Sequence, residues 1–107
     1  MDVNPIQITL TCGSEAEALN IASALIDSHL AACVQVSGPV TSVYRWKGQV
    51  ETEEEWLCFA KTVEEKYQAA QSKILEMHSY DNPEIIAVAI VAGSPEYLKW
   101  LSYETMP

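Results

Sequence analysis

Basic charge, glycine and long apolar runs are all scarce in this 107-residue chain, which sets 6 lysines and arginines against 15 aspartates and glutamates. The formal net charge of −9 repels phosphate backbones and leaves no basic stripe for counterion release, so nucleic acid is not an expected partner. No apolar run approaches the length that spans a bilayer, and "MDVNPIQITL" places an acid and a proline where a secretory leader would have a basic and then an apolar segment. The expectation is a soluble, cytoplasmic protein with no membrane partner. The chain lacks a phosphate-cradling glycine loop, a G-x-G-x-x-G, a nucleophile elbow and an H-E-x-x-H. With 2 histidines the supply of general bases is thin, so an enzyme is not expected. The 3 cysteines, Cys12, Cys33 and Cys58, are an odd number set far apart in apolar surroundings, which points to buried, reduced thiols and not to a disulfide framework.

What is present reads as one domain over residues 1–107, large enough to fold with neither a metal nor a disulfide. "IQITLTC" alternates Ile6, Ile8, Leu10 and Cys12 with polar neighbours, the period of a half-buried strand, and Gly13 ends it. Ser14 stands three residues before Glu17 as a capping box, and Leu19, Ala22, Leu25 or Ile26, and Leu30 follow at helical spacing. From Cys33 to Lys61 the strand pattern returns: "CVQV", "VTSVYRW", a "KGQV" turn and "EEEWLCFAK" read as one long hairpin, bent at Gly38-Pro39 because proline lacks the N–H a ladder needs. Thr62 and Glu65 form a second capping box ahead of Val63, Tyr67, Ala70, Ile74 and Met77, a helix that ends near His78. "EIIAVAIVA" is a last strand, and Ser94 with Pro95 opens a short C-terminal helix.

The order β-α-β-β-α-β plus a helix predicts an α+β, ferredoxin-like sandwich with two helices on one face of an antiparallel sheet. Residues 85–91 are apolar on both faces of the last strand, so something must cover the open face, and self-association is the simplest cover.

Two constellations carry candidate chemistry. In "EMHSYDNPEI", His78, Tyr80 and Glu84 crowd a turn, and imidazole with a cysteine thiolate is a soft pair suited to copper or zinc. In the hairpin, Tyr44 and Trp46 lie on one side of the first arm and Arg45 on the other, and Glu51, Glu53, Glu54 and Glu55 crowd the start of the return arm, a solvated edge or a rim that attracts cations of the magnesium or calcium type. His29 reads as a helix-end or solvent-facing residue, and Trp56, Phe59 and Trp100 as packing residues.

The blocks "AACVQV", "SVYRWKG", "EEEWLCFAKT", "HSYDNPEI" and "YLKW", in this order and spacing, resemble the CutA divalent-ion-tolerance proteins across essentially the whole chain. The resemblance implies a ferredoxin-like protomer in a cytoplasmic homotrimer, with the hairpin and C-terminal segment reaching onto neighbours. It implies tolerance of divalent metal ions, copper foremost, with Cys33 and His78 as the metal ligands and no cofactor required for folding. The fold also resembles the PII signalling trimers, whose ligands occupy clefts between subunits. On that analogy Trp46, Glu53, Lys61, His78, Tyr80 and Glu84 line a cleft, and the alternative function is a signalling or scaffold trimer that binds a small molecule. Gln35, the Gly38-Pro39 order and Ser79 depart from the usual family pattern, and none of them removes a candidate ligand.

Overall fold

The computed structural model describes residues 3–106; residues 1, 2 and 107, which the single-domain reading and the leader argument include, lie outside it. The elements are β1 (Pro5–Cys12), α1 (Glu15–Asp27), β2 (Cys33–Trp46), β3 (Gln49–Val63), a 3-10 turn (Glu64–Lys66), α2 (Tyr67–Met77), β4 (Ile85–Ala89) and α3 (Pro95–Glu104). The expected element order is the observed one. The four strands form one antiparallel sheet in the order β2-β3-β1-β4.

Period-2 alternation sets the core. Ile6, Ile8, Leu10 and Cys12 of β1 and Cys58 and Ala60 of β3 are buried against Ala18, Ile21 and Leu25 of α1 and Ala70 and Ile74 of α2. Each fully buried aliphatic side chain here contributes about 1.5–3 kcal/mol. Helix α1 begins as expected, with the Ser14 hydroxyl accepting from the Glu17 amide at 3.1 Å. Its core stripe is nevertheless Ala18, Ile21, Ala22 and Leu25, while Leu19 and Ile26 are 50% and 40% exposed. Of the expected positions, Ala22 and Leu25 lie on this stripe and Leu30 packs against the core, while Leu19 and the alternative Ile26 lie on the neighbouring face. The helix ends in a paired bond pattern, Leu30 N–H to Leu25 C=O at 2.9 Å and His29 N–H to Ile26 C=O at 3.1 Å, with His29 in the left-handed region at φ 59°. Its Nδ1 lies 3.0 Å from the Glu104 carbonyl, tying the end of α1 to the end of α3.

The second capping box does not form. Strand β3 runs through Thr62 to Val63, Thr62 is fully buried with its hydroxyl unpartnered, and α2 starts after the 3-10 turn with no side-chain cap. The strand ladder to Ile6 outcompetes the cap, because pairing at Thr62 satisfies backbone that a cap would leave open. Ser94 does occupy the N-cap position of α3 with Pro95 following, but its hydroxyl makes no capping bond. The last strand is shorter than expected, ending at Ala89.

The hairpin dominates the shape. Lys47 and Gly48, at φ 51° and 80°, make the two-residue turn whose twist matches the strands. A 14-residue strand rises about 48 Å at about 3.4 Å per residue, and the molecule measures 47 Å along its longest axis. The expected bend is present as a register shift between Ser37 and Val40. Gly38 is required there, because a Cβ would stand 2.4 Å from the Trp56 ring.

The second sheet face is partly covered within the chain. Helix α3 lies against β3 and β1 with Leu101 fully buried, and Tyr97 meets Cys33, whose neighbours Val34 and Val36 join the opposite, helix-packed core. β4 stays bare, with Ile86 and Val88 51% and 55% exposed on one face and Ala87 and Ala89 exposed on the other. Among the described residues, no helix is long and apolar enough to cross a membrane.

Candidate functional site

His78 caps the end of α2, its N–H bonded to the Ile74 carbonyl at 2.9 Å, and its side chain is fully enclosed. Nε2 lies 2.7 Å from the Thr11 carbonyl, which only accepts, so that nitrogen carries the proton. Nδ1 then accepts the Tyr80 N–H at 3.1 Å. Both ring nitrogens are committed, and the imidazole is held as one neutral tautomer. Glu17 completes the corner: its carboxylate accepts from the Ser79 amide at 2.8 Å and from the Gly13 amide at 3.3 Å. Burial pushes this carboxyl up, but the bonds from Ser79 and Gly13 outweigh it and hold it below the usual range. Cys12, Glu17 and His78 bring one donor atom each within 4.8 Å of one another, yet the donors of Glu17 and His78 are already engaged.

The corner aims Tyr80. Its ring tilts against His78 at 4.8 Å, and it passes Gly13, where a Cβ would meet the phenol oxygen at 3.0 Å. The hydroxyl donates to Glu55 Oε2 at 2.9 Å. Glu55 is only 7% exposed, a buried carboxylate whose partner is a phenol and not a cation. Burial and this carboxylate together push the Tyr80 hydroxyl well above its ordinary pKa.

Glu55 opens onto a cleft of about 740 Å³ between the hairpin and the turn after His78. Alternation puts Glu51, Glu53 and Glu55 on one face of β3, and the register sets Tyr44 opposite Glu51 and Ser42 opposite Glu53. Burial and Glu53 raise the Tyr44 hydroxyl pKa. Asp81, Asn82 and Glu84 close the other wall, and Arg45 is the one basic residue lining it. The cleft thus combines five carboxylates with Tyr44, Trp46 and Tyr80.

Trp46, Glu53, Tyr80 and Glu84, named above for a cleft between subunits, line this cleft within one chain. Lys61 does not: it sits at the far end of β3 opposite Gln7 and Cys33, and its ammonium bonds the Gln35 side chain. Cys33 is half-buried at that same end beside the Tyr97 hydroxyl, while Cys12 and Cys58 are sealed in the core as expected. Cys33 and Thr11, the contact of His78, lie on opposite sides of β3 and four residues apart along it, about 14 Å in the strand direction alone. One chain therefore does not bring Cys33 and His78 together as a metal pair. Glu51 and Glu55 were named for the hairpin rim but not for the cleft, and Asp81 was named for neither. For Glu55 the available signal was the every-second-residue spacing from Glu51.

Residues 6–104 match the CutA1 divalent ion tolerance protein family. The chain belongs to that family. It is 39% identical over 98 residues to the divalent-cation tolerance protein CutA of Thermus thermophilus, covering 92% of this chain and 95% of that one. It is 39% identical over 92 residues to the CutA homolog of Xenopus laevis, covering 86% of this chain but 61% of the relative's length, and it spans 54% of mouse CutA. Among solved structures, CutA1 from Oryza sativa superposes with a TM-score of 0.94 at 36% identity, covering 97% of this chain and 95% of that one. The Thermus thermophilus CutA1 structure gives 0.93 at 37% identity, covering 95% and 99%. A CutA fold is thus common to chains that differ at most positions.

Proposed function

We propose that this CutA-family chain is a non-catalytic homotrimer that serves metal tolerance by binding a divalent cation in the hairpin cleft. The observation that carries the reading is Glu55, a 7% exposed carboxylate fixed by Tyr80 and lining a cleft that Glu51, Glu53, Asp81 and Glu84 share. Carboxylate oxygens are hard ligands suited to magnesium, calcium or manganese. The net charge of −9 raises the local concentration of cations around such a site. Exposed Ile86 and Val88 on β4, with Tyr97 and Trp100 on α3, support assembly, since a lone chain leaves this apolar surface to water.

Copper at Cys33 and His78 would draw its two ligands from different chains and would displace the Tyr80 amide from the imidazole. An oxygen-bound ion needs neither. The PII-like alternative places a small molecule in clefts between subunits; where the hairpin cleft contributes a wall, its five carboxylates against Arg45 disfavour an anion.

Calorimetric titration of the metal-free protein with Mn²⁺ and with Cu²⁺ tests the reading. Mn²⁺ binding is expected to weaken about tenfold or more in Glu53→Gln and Glu55→Gln and to be unchanged in Cys33→Ser. Binding lost in Cys33→Ser and retained in both glutamate variants would return the site to the thiol.

A further inference from the structure

Cys12 and Cys58 take no part in the cleft, and both are fully buried. The register pairs Leu10 with Cys58 and Cys12 with Trp56, so the two cysteines are diagonal neighbours on the helix-packed face of β1 and β3. The Cys58 thiol donates to the Ala18 carbonyl at 3.6 Å. Glu17 and His78, the donors nearest Cys12, are held by backbone amides and the Thr11 carbonyl. Among the described residues, Cys12 and Cys58 are thus two neighbouring soft donors, and the bond that engages either of them is a weak thiol contact to a carbonyl.

A disulfide does not suit this pair. Diagonal neighbours in an antiparallel ladder stand about 7–8 Å apart, whereas a disulfide requires Cα atoms within about 4.4–6.8 Å. An ion placed between the sulfurs spans the larger gap. We propose that Cys12 and Cys58 form a two-sulfur site for a soft monovalent d10 cation, of the copper(I) or silver(I) kind, enclosed by β1, β3 and α1. On binding, two S–H bonds break, two sulfur–metal bonds form and two protons leave for solvent, with no change of oxidation state. Thiolate sulfur selects soft ions, and the closed apolar surroundings exclude hard divalent cations that retain their waters. The site is therefore independent of the carboxylate cleft. The contact with Cys58, together with burial, pushes the Cys12 thiol far up, while the contact with Cys12 pulls Cys58 down. Two protons leave on binding, so uptake strengthens as pH rises.

The test uses the reduced protein in its native oligomer with Cys33→Ser, which leaves Cys12 and Cys58 as its two thiols. Ag⁺ is titrated and followed by native mass spectrometry, sulfur-to-metal absorption and proton release. The expected result is one tightly held Ag⁺ per chain with the circular dichroism of the folded state intact. Cys12→Ala and Cys58→Ala, each in that background, are expected to weaken it by more than about 100-fold, since changes that only disturb a ligand's neighbours already cost about 10–100-fold. Should one variant not fold, the other carries the comparison. Glu53→Gln is expected to leave Ag⁺ binding unchanged. A folded chain that takes up no Ag⁺, uptake that appears only as the fold is lost, or undiminished binding in the folded alanine variants overturns the proposal.

Discussion

Glu17 shows how much one side chain can do in this fold. A single carboxylate caps the start of α1 through Gly13 and fixes the turn after α2 through Ser79, so it joins two segments far apart in sequence. Its folded pKa is lowered, so its stabilising effect is present above the unfolded value of about 4.3 and is lost as the pH falls through the lower folded value. Glu17→Gln is expected to cost about 1.5–3 kcal/mol at neutral pH, the range for hydrogen bonds to a charged group. Thermal unfolding of both proteins across the acid range checks this: the gap should close as the pH drops below the carboxylate range. His78 was legible as a special residue because it stands between an amphipathic run and an apolar one. Its role was not legible, because the partners that fix its tautomer, Thr11 and Tyr80, include a backbone carbonyl 67 residues away.

At the scale of elements, local chemistry and ladder pairing compete, and the outcomes differ by site. Ser14 caps α1 because no strand continues through it, while Thr62 is drawn into β3 by its pairing with Ile6. Propensity alone could not separate the two, since both present the same Ser/Thr-x-x-Glu signal. The order of elements, the tight Lys47-Gly48 turn and the bend at Gly38 were all readable, because each depends on residues close in sequence. Which stripe of α1 faces inward was not, because Leu19 and Ile21 are equally apolar and only the position of the sheet decides between them. Ile21→Ala is expected to cost about 2–5 kcal/mol and Leu19→Ala less than about 1 kcal/mol, measured by urea denaturation. Equal costs would contradict the observed face.

For the whole molecule, the long hairpin and the bare last strand set the account. The apolar pattern of residues 85–91 called for a cover, but α3 lies against β3 and β1 and leaves Ile86 and Val88 open. If the proposed trimer forms through this face, Val88→Asp is expected to give a folded monomer in sedimentation, while the circular dichroism is preserved. A trimer that survives this change would place the subunit contact elsewhere. The candidate cleft was half legible: the crowded hairpin arm and the crowded turn pointed to Glu53, Tyr80 and Glu84, while Lys61, grouped with them by the PII analogy, lies at the other end of the sheet within one chain. Function then rests on whether the converging carboxylates hold an ion. A Mn²⁺-soaked crystal with anomalous scattering measured at the manganese edge tests this most directly. The account predicts an anomalous peak in the hairpin cleft with carboxylate oxygens of Glu53 or Glu55 at about 2.0–2.6 Å, the range of hard divalent cations. An empty cleft, or a peak at Cys33, would contradict it.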